Sequence, residues 1–162
     1  MGFFYAKKIT AWDWITIILY LLTSVGLYFF FENTEFKKNV LFFYCLGSHF
    51  FLFSFNYKSL RNFKVYLIWV GFALVHLYFY LQLKDVNSLQ NFQGHAAQGL
   101  ASTLILLVLF QVLRYISLKT QGQELVCPSR SLTDFFDNRI ITGIDFLLFI
   151  VYIAACFILI LY

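Results

Sequence analysis

Five long apolar runs, each bounded by charged residues, decide most of what this chain can fold into. They cover about 11–31, 39–56, 65–83, 96–113 and 141–162. Each is close to the roughly 20 helical residues that cross a bilayer core of about 30 Å. The runs are continuously apolar, not alternating, and a spanning sheet would have to close into a barrel, so helices are expected. With 61% hydrophobic and 12% charged residues, the chain has too few polar side chains to cover a soluble surface. The expectation is an all-α integral membrane protein, with five transmembrane helices in one bundle that forms a single domain over 1–162.

Basic residues set the expected orientation. Lys7, Lys8, Lys58, Arg61, Lys64, Arg114, Lys119, Arg130 and Arg139 fall on one side, against Lys37, Lys38 and Lys84 on the other. Basic residues in short loops favour the inner compartment. This places the N-terminus inside and the C-terminus outside, in a bacterial inner membrane or an equivalent organelle membrane. The excess of base is then a topology signal, strengthened by anionic lipid, and no nucleic-acid partner is expected. Lys7 and Lys8 ahead of an apolar run have the look of a signal peptide, with "TSVG" as a cleavage-like site; this end is read as an uncleaved first helix. Ala6 stands where a myristoylation signal needs Ser or Thr.

The inner loop, 118–140, holds the sole proline, Pro128, and "SLTD" at 131–134. That tetrapeptide has the form of a capping box and predicts a short amphipathic helix from Ser131 through Asn138, lying on the membrane surface or docking a partner. Cys45, Cys127 and Cys156 form no CxxC pair, and their odd number argues against a disulfide framework. No phosphate-cradling loop, HExxH or Gly-x-Ser-x-Gly motif occurs. The outer acids Glu32, Glu35 and Asp85 are not the paired aspartates of a lipoprotein signal peptidase; Glu32 and Glu35, beside Lys37 and Lys38, read as a charge-balanced loop.

The polar residues inside the runs are the candidate site. His49 and His76 lie within the second and third runs, about 15 and 10 Å below their outer ends at 1.5 Å per residue, and His95 begins the fourth. Polar groups at such depth face the bundle interior and often mark a pathway or site. The first reading is hydrogen-bonded packing. The second is haem b, with His49 and His76 as axial ligands. The third is a quinone or lipid head-group site with the glutamines of "LQNFQGHAAQG" at its rim. In the fourth run, Ala97 with Ala101, and Gly99 with Thr103, put small residues four apart on a face suited to close helix contact, with Gln98 and Gln111 adding amides. The expected function is a non-catalytic membrane subunit that assembles with or anchors a larger complex. The alternatives are an electron-transfer protein using His49 and His76, or a pore-forming effector.

Overall fold

The computed structural model describes residues 4–29, 34–91, 94–128 and 139–161. Among these residues it has five α-helices: α1 (Ala11–Phe29), α2 (Thr34–Ser54), α3 (Phe63–Leu83), α4 (Gln98–Gln121) and α5 (Gly143–Leu161). Among the described residues, α3, α4 and the Gly143–Ile160 part of α5 are long and apolar enough to cross a membrane, and α1 contributes the apolar stretch Ala11–Leu27. The surface-helix expectation at Ser131–Asn138 lies outside the described residues.

Several ends differ from expectation for identifiable reasons. Lys37 and Lys38, expected in a loop, lie in the first turns of α2, and Asn56 falls beyond its end. α4 does not stop at Leu113; it runs eight residues further, through Arg114 and Lys119, to Gln121. Gly122 closes it with φ 66° and an N–H bonded to the Leu118 carbonyl at 3.1 Å, a left-handed cap that favours glycine. Among the described residues, two T-x-x-D boxes start helices. In "TAWD", the Thr10 N–H and hydroxyl both donate to Asp13 Oδ2 at 2.7 Å. In "TGID", the Thr142 N–H and hydroxyl donate to Asp145 Oδ2 at 2.9 Å. Each box satisfies orphan donors at a helix start.

Successive helices alternate in direction. The segment before α1, the α2–α3 link and the α4–α5 link meet at one end, here the basic end: Tyr5 pairs with Asn62, and the Tyr5 hydroxyl donates to Glu124 at 2.8 Å. At the opposite end a short antiparallel pairing of Gln90–Asn91 with Gly94–His95 precedes α4. Leu89 is buried there with Leu41, Cys45, Ala96, Ala97 and Leu100.

α4 is the central helix. It packs most extensively on α3 and α5 and also on α2, while α1 lies against α3 and α2. Between the two ends Phe53, Trp69, Leu106, Leu107, Phe110 and Tyr152 form the core, with the Phe53 and Tyr152 rings 4.4 Å apart. Large apolar side chains such as Leu19, Leu22, Val75, Val108, Leu147 and Ile158 point outward. Polar side chains such as Ser24, His49, His76, Thr103 and Gln111 point inward. Apolar exterior around polar interior is the distribution a lipid surrounding selects.

Candidate functional site

His49 on α2 and His76 on α3 are 0% and 1% exposed, and both rings converge on one hydroxyl from α4. Thr103 Oγ1 lies 3.1 Å from His49 Nε2 and 3.2 Å from His76 Nδ1. The other nitrogen of His76, Nε2, lies 3.0 Å from the Tyr44 hydroxyl and 3.3 Å from Ser24 Oγ. Tyr44 and Ser24 are 2.5 Å apart, and Ser24 donates to the Tyr20 carbonyl at 2.6 Å. Four helices thus contribute to one hydrogen-bonded chain.

The direction of that chain follows from counting protons. A hydroxyl has one proton to donate, and a neutral imidazole has one N–H and one lone pair. If His49 Nε2–H donates to Thr103, Thr103 donates to His76 Nδ1, His76 Nε2–H donates to Tyr44, and Tyr44 donates to Ser24. Every link is then satisfied and the chain ends on the Tyr20 carbonyl. His49 Nδ1, buried and without a hydrogen-bond partner, is left with only a lone pair exposed to apolar surroundings. Running the chain the other way would strand an N–H there. An orphan donor in a buried site carries the larger desolvation cost, so both imidazoles are assigned neutral with the first polarity.

This geometry does not fit a haem between the two histidines. Bis-imidazole ligation needs two lone pairs facing each other across a macrocycle. Here His49 Nε2 and His76 Nδ1 address the same hydroxyl, and His76 Nε2 turns away to Tyr44. The enclosed space beside His76, Ser24 and Tyr44 is about 10 Å³, room for about one water.

His95 is not part of this group. It sits in the turn ahead of α4, where Nδ1 accepts from the Ala97 N–H at 3.2 Å and Nε2 donates to the Val86 carbonyl at 3.3 Å. It closes a loop. Gln98 is half-buried at the start of α4, with its carbonyl accepting from Ser102 at 3.3 Å. Gln111 lies at the basic end, where its amide donates to the Leu60 carbonyl at 2.9 Å. Gly99 meets α2: a Cβ there would lie 2.5 Å from the Cys45 Cβ, so the two backbones approach to a distance only glycine permits. None of the three cysteines forms a disulfide.

A second constellation went unread in the sequence. At the basic end Arg114, 1% exposed, grips Glu124 through Nε to Oε2 at 2.6 Å and Nη2 to Oε1 at 2.7 Å. Its guanidinium carbon also sits 5.7 Å from the centroids of the Phe4 and Tyr5 rings. Arg61, 6% exposed, donates to the Leu125 carbonyl at 2.8 Å and lies 3.6 Å from Glu124 Oε2. Arg139 donates to Asp145 Oδ1 at 2.6 Å, and Gln121 donates to the same oxygen at 3.0 Å. Burial raises the Glu124 pKa, but the Arg114 and Tyr5 hydrogen bonds and the charges of Arg114 and Arg61 outweigh it, so Glu124 titrates below its ordinary value. The bond to Glu124, with burial behind it, raises the Tyr5 pKa and keeps the hydroxyl protonated as a donor. Arg61, Arg114 and Arg139, read from sequence as loop charges, therefore stitch the basic end together.

The chain matches no protein-family model, no curated protein and no solved structure.

Proposed function

We propose that this is a five-span membrane protein with its basic end on the cytoplasmic or equivalent side, serving as a non-catalytic subunit that assembles with other membrane proteins. Residues 1–162 then form one transmembrane domain, with the N-terminus inside and the C-terminus outside. The observation that carries the non-catalytic reading is the chain from His49 through Thr103, His76 and Tyr44 to Ser24. Apart from His49 Nδ1, its side-chain polar atoms are engaged in holding α1, α2, α3 and α4 to one another. A site for chemistry would leave such groups facing a space that a substrate can enter.

Assembly is supported by the outer face of α2 and α5. Phe43, Phe50, Phe55 and Phe157 are exposed around a groove of about 380 Å³ floored by Gly47 and Cys156. Within lipid, helices associate through packing and not through the hydrophobic effect, and a groove with a small-residue floor is a surface another helix can fill.

The test combines topology, size and colour. Reporters in the "SLRNFK" loop and after Tyr162 are expected on opposite sides, inner and outer. In native membranes extracted with mild detergent, the tagged protein is expected to migrate with stoichiometric partners and to lack a Soret band. A solitary chain carrying a coloured cofactor would overturn the reading.

A further inference from the structure

At the basic end an open cleft of about 540 Å³ lies between the segment leading into α1 and the α2–α3 link. Its walls differ in character. Lys7, Lys8 and Lys58 bring three ammonium groups to its rim, all exposed. Trp12 and Phe55, 44% and 51% exposed, supply large apolar faces from the start of α1 and from just past α2. The frame is fixed: the Asn62 side chain donates to the Lys7 carbonyl at 3.0 Å, and the Tyr5 N–H donates to the Arg61 carbonyl at 3.0 Å.

We propose that this cleft binds one anionic phospholipid, with the phosphodiester held by Lys7, Lys8 and Lys58 and the upper acyl chains lying against Trp12 and Phe55. The cleft volume falls within the roughly 300–1,000 Å³ of small-ligand sites. Lysines suit this role because each is a mobile point charge that reaches a phosphate without demanding the planar geometry of an arginine. Arg61 also borders the cleft, but its guanidinium is buried toward Leu125 and Glu124, so it adds background charge and no direct contact. Among the described lining residues the acidic side chain is Asp13, which is 3% exposed with its Oδ2 held by Thr10. The rim is therefore cationic where a head group would enter. Basic pockets between helices on the inner leaflet, joined to an aromatic at head-group depth, match the charge and the polarity gradient of such a lipid.

The inference rests on the proposed orientation only for the leaflet involved; binding itself is read without reference to sidedness. Full-length protein, delipidated in detergent, would be titrated with phosphatidylglycerol, phosphatidylcholine or inorganic phosphate and followed by native mass spectrometry and thermal unfolding. Phosphatidylglycerol is expected to bind at one molecule per chain and raise the melting temperature, while phosphatidylcholine and phosphate do neither. Each lysine is expected to contribute on the order of fivefold in affinity. Lys7→Gln/Lys8→Gln/Lys58→Gln should thus lose about a hundredfold, whereas Lys37→Gln/Lys38→Gln/Lys84→Gln at the opposite end should bind normally. Should the triple variant fold poorly, Lys58→Gln alone is expected to show the fivefold loss. Equal losses in both triple variants, or equal retention of phosphatidylcholine, overturn the proposal. Full stabilisation by phosphate alone would make the site an anion site and overturn the lipid. A failed topology assay with intact phosphatidylglycerol binding would sink the orientation and leave this site standing.

Discussion

Arg114 and Glu124 face each other as a doubly hydrogen-bonded pair, at 2.6 and 2.7 Å, with the arginine 1% exposed on the central helix and the glutamate in the link beyond it. Such fork-to-carboxylate pairs are short, charge-assisted and directional. Removing one partner strands the other where water is scarce, at a cost of about 3–5 kcal/mol for a fully buried pair. Glu124 keeps 17% of its side-chain surface, so its loss should fall toward the lower end.

Arg114→Lys is the sharper variant. A lysine keeps the charge but has no planar fork and no guanidinium to lay over Phe4 and Tyr5. It is expected to lower the melting temperature in detergent nearly as far as Arg114→Leu. Wild-type stability in Arg114→Lys would show that charge alone suffices.

The same pair predicts an acid limb. Glu124 titrates below its ordinary 4.5, so its stabilisation is complete above that value and lost as pH falls through the depressed folded pKa. Melting temperature should therefore decline on acidification below about pH 4.5. Glu124→Gln should be less stable at neutral pH and show a flatter decline. Identical acid limbs in the two proteins would assign the effect elsewhere.

Thr103 should matter more than its size implies. Thr103→Val preserves volume but removes the one hydroxyl shared by His49 and His76, leaving two buried imidazoles short of a partner. The expected loss is roughly 1–3 kcal/mol. Thr103→Ser keeps the hydroxyl and should recover most of it in equilibrium unfolding. Equal stability of Val and Thr at this position would refute the shared bond.

Gly99 should tolerate no side chain. Even Gly99→Ala places a Cβ 2.5 Å from the Cys45 Cβ, a rigid atom on the facing helix. The α2–α4 contact must then open, and Gly99→Leu should open it further. The check is a graded fall in melting temperature from Gly to Ala to Leu, with Gly26→Ala, which meets nothing within 4 Å, as the neutral control.

The helices were legible because apolar runs and spans coincide wherever the lipid-facing residues are contiguous. α4 was only partly legible, because Arg114 ends an apolar run in the sequence while the helix continues to Gln121. A cation that is buried against Glu124 looks, in one dimension, like a cation at a boundary. His49, His76, Gly99 and Thr103 were each picked out, but their meeting depends on how three helices are rotated about their axes, and no spacing within one helix encodes that. The start boxes "TAWD" and "TGID" were readable: they have the same pattern as "SLTD", followed by longer apolar runs. Signals for the Tyr5–Glu124 and Arg61–Glu124 contacts were absent, because pairs so distant in sequence leave no local trace.

The Tyr5–Glu124 bond joins residues 119 apart, one ahead of α1 and the other beyond α4. At about 5–20 residues per second, roughly 6–24 seconds of synthesis separate their emergence. Arg61 is without its carboxylate for the last 63 of those residues and Arg114 for the last 10, so the nascent basic end stays uncompensated until Glu124 emerges. Closure of that end therefore cannot precede the emergence of Glu124, after α1 through α4 have been made. A bulky group fused just ahead of Tyr5 would sit beside a latch that closes only then.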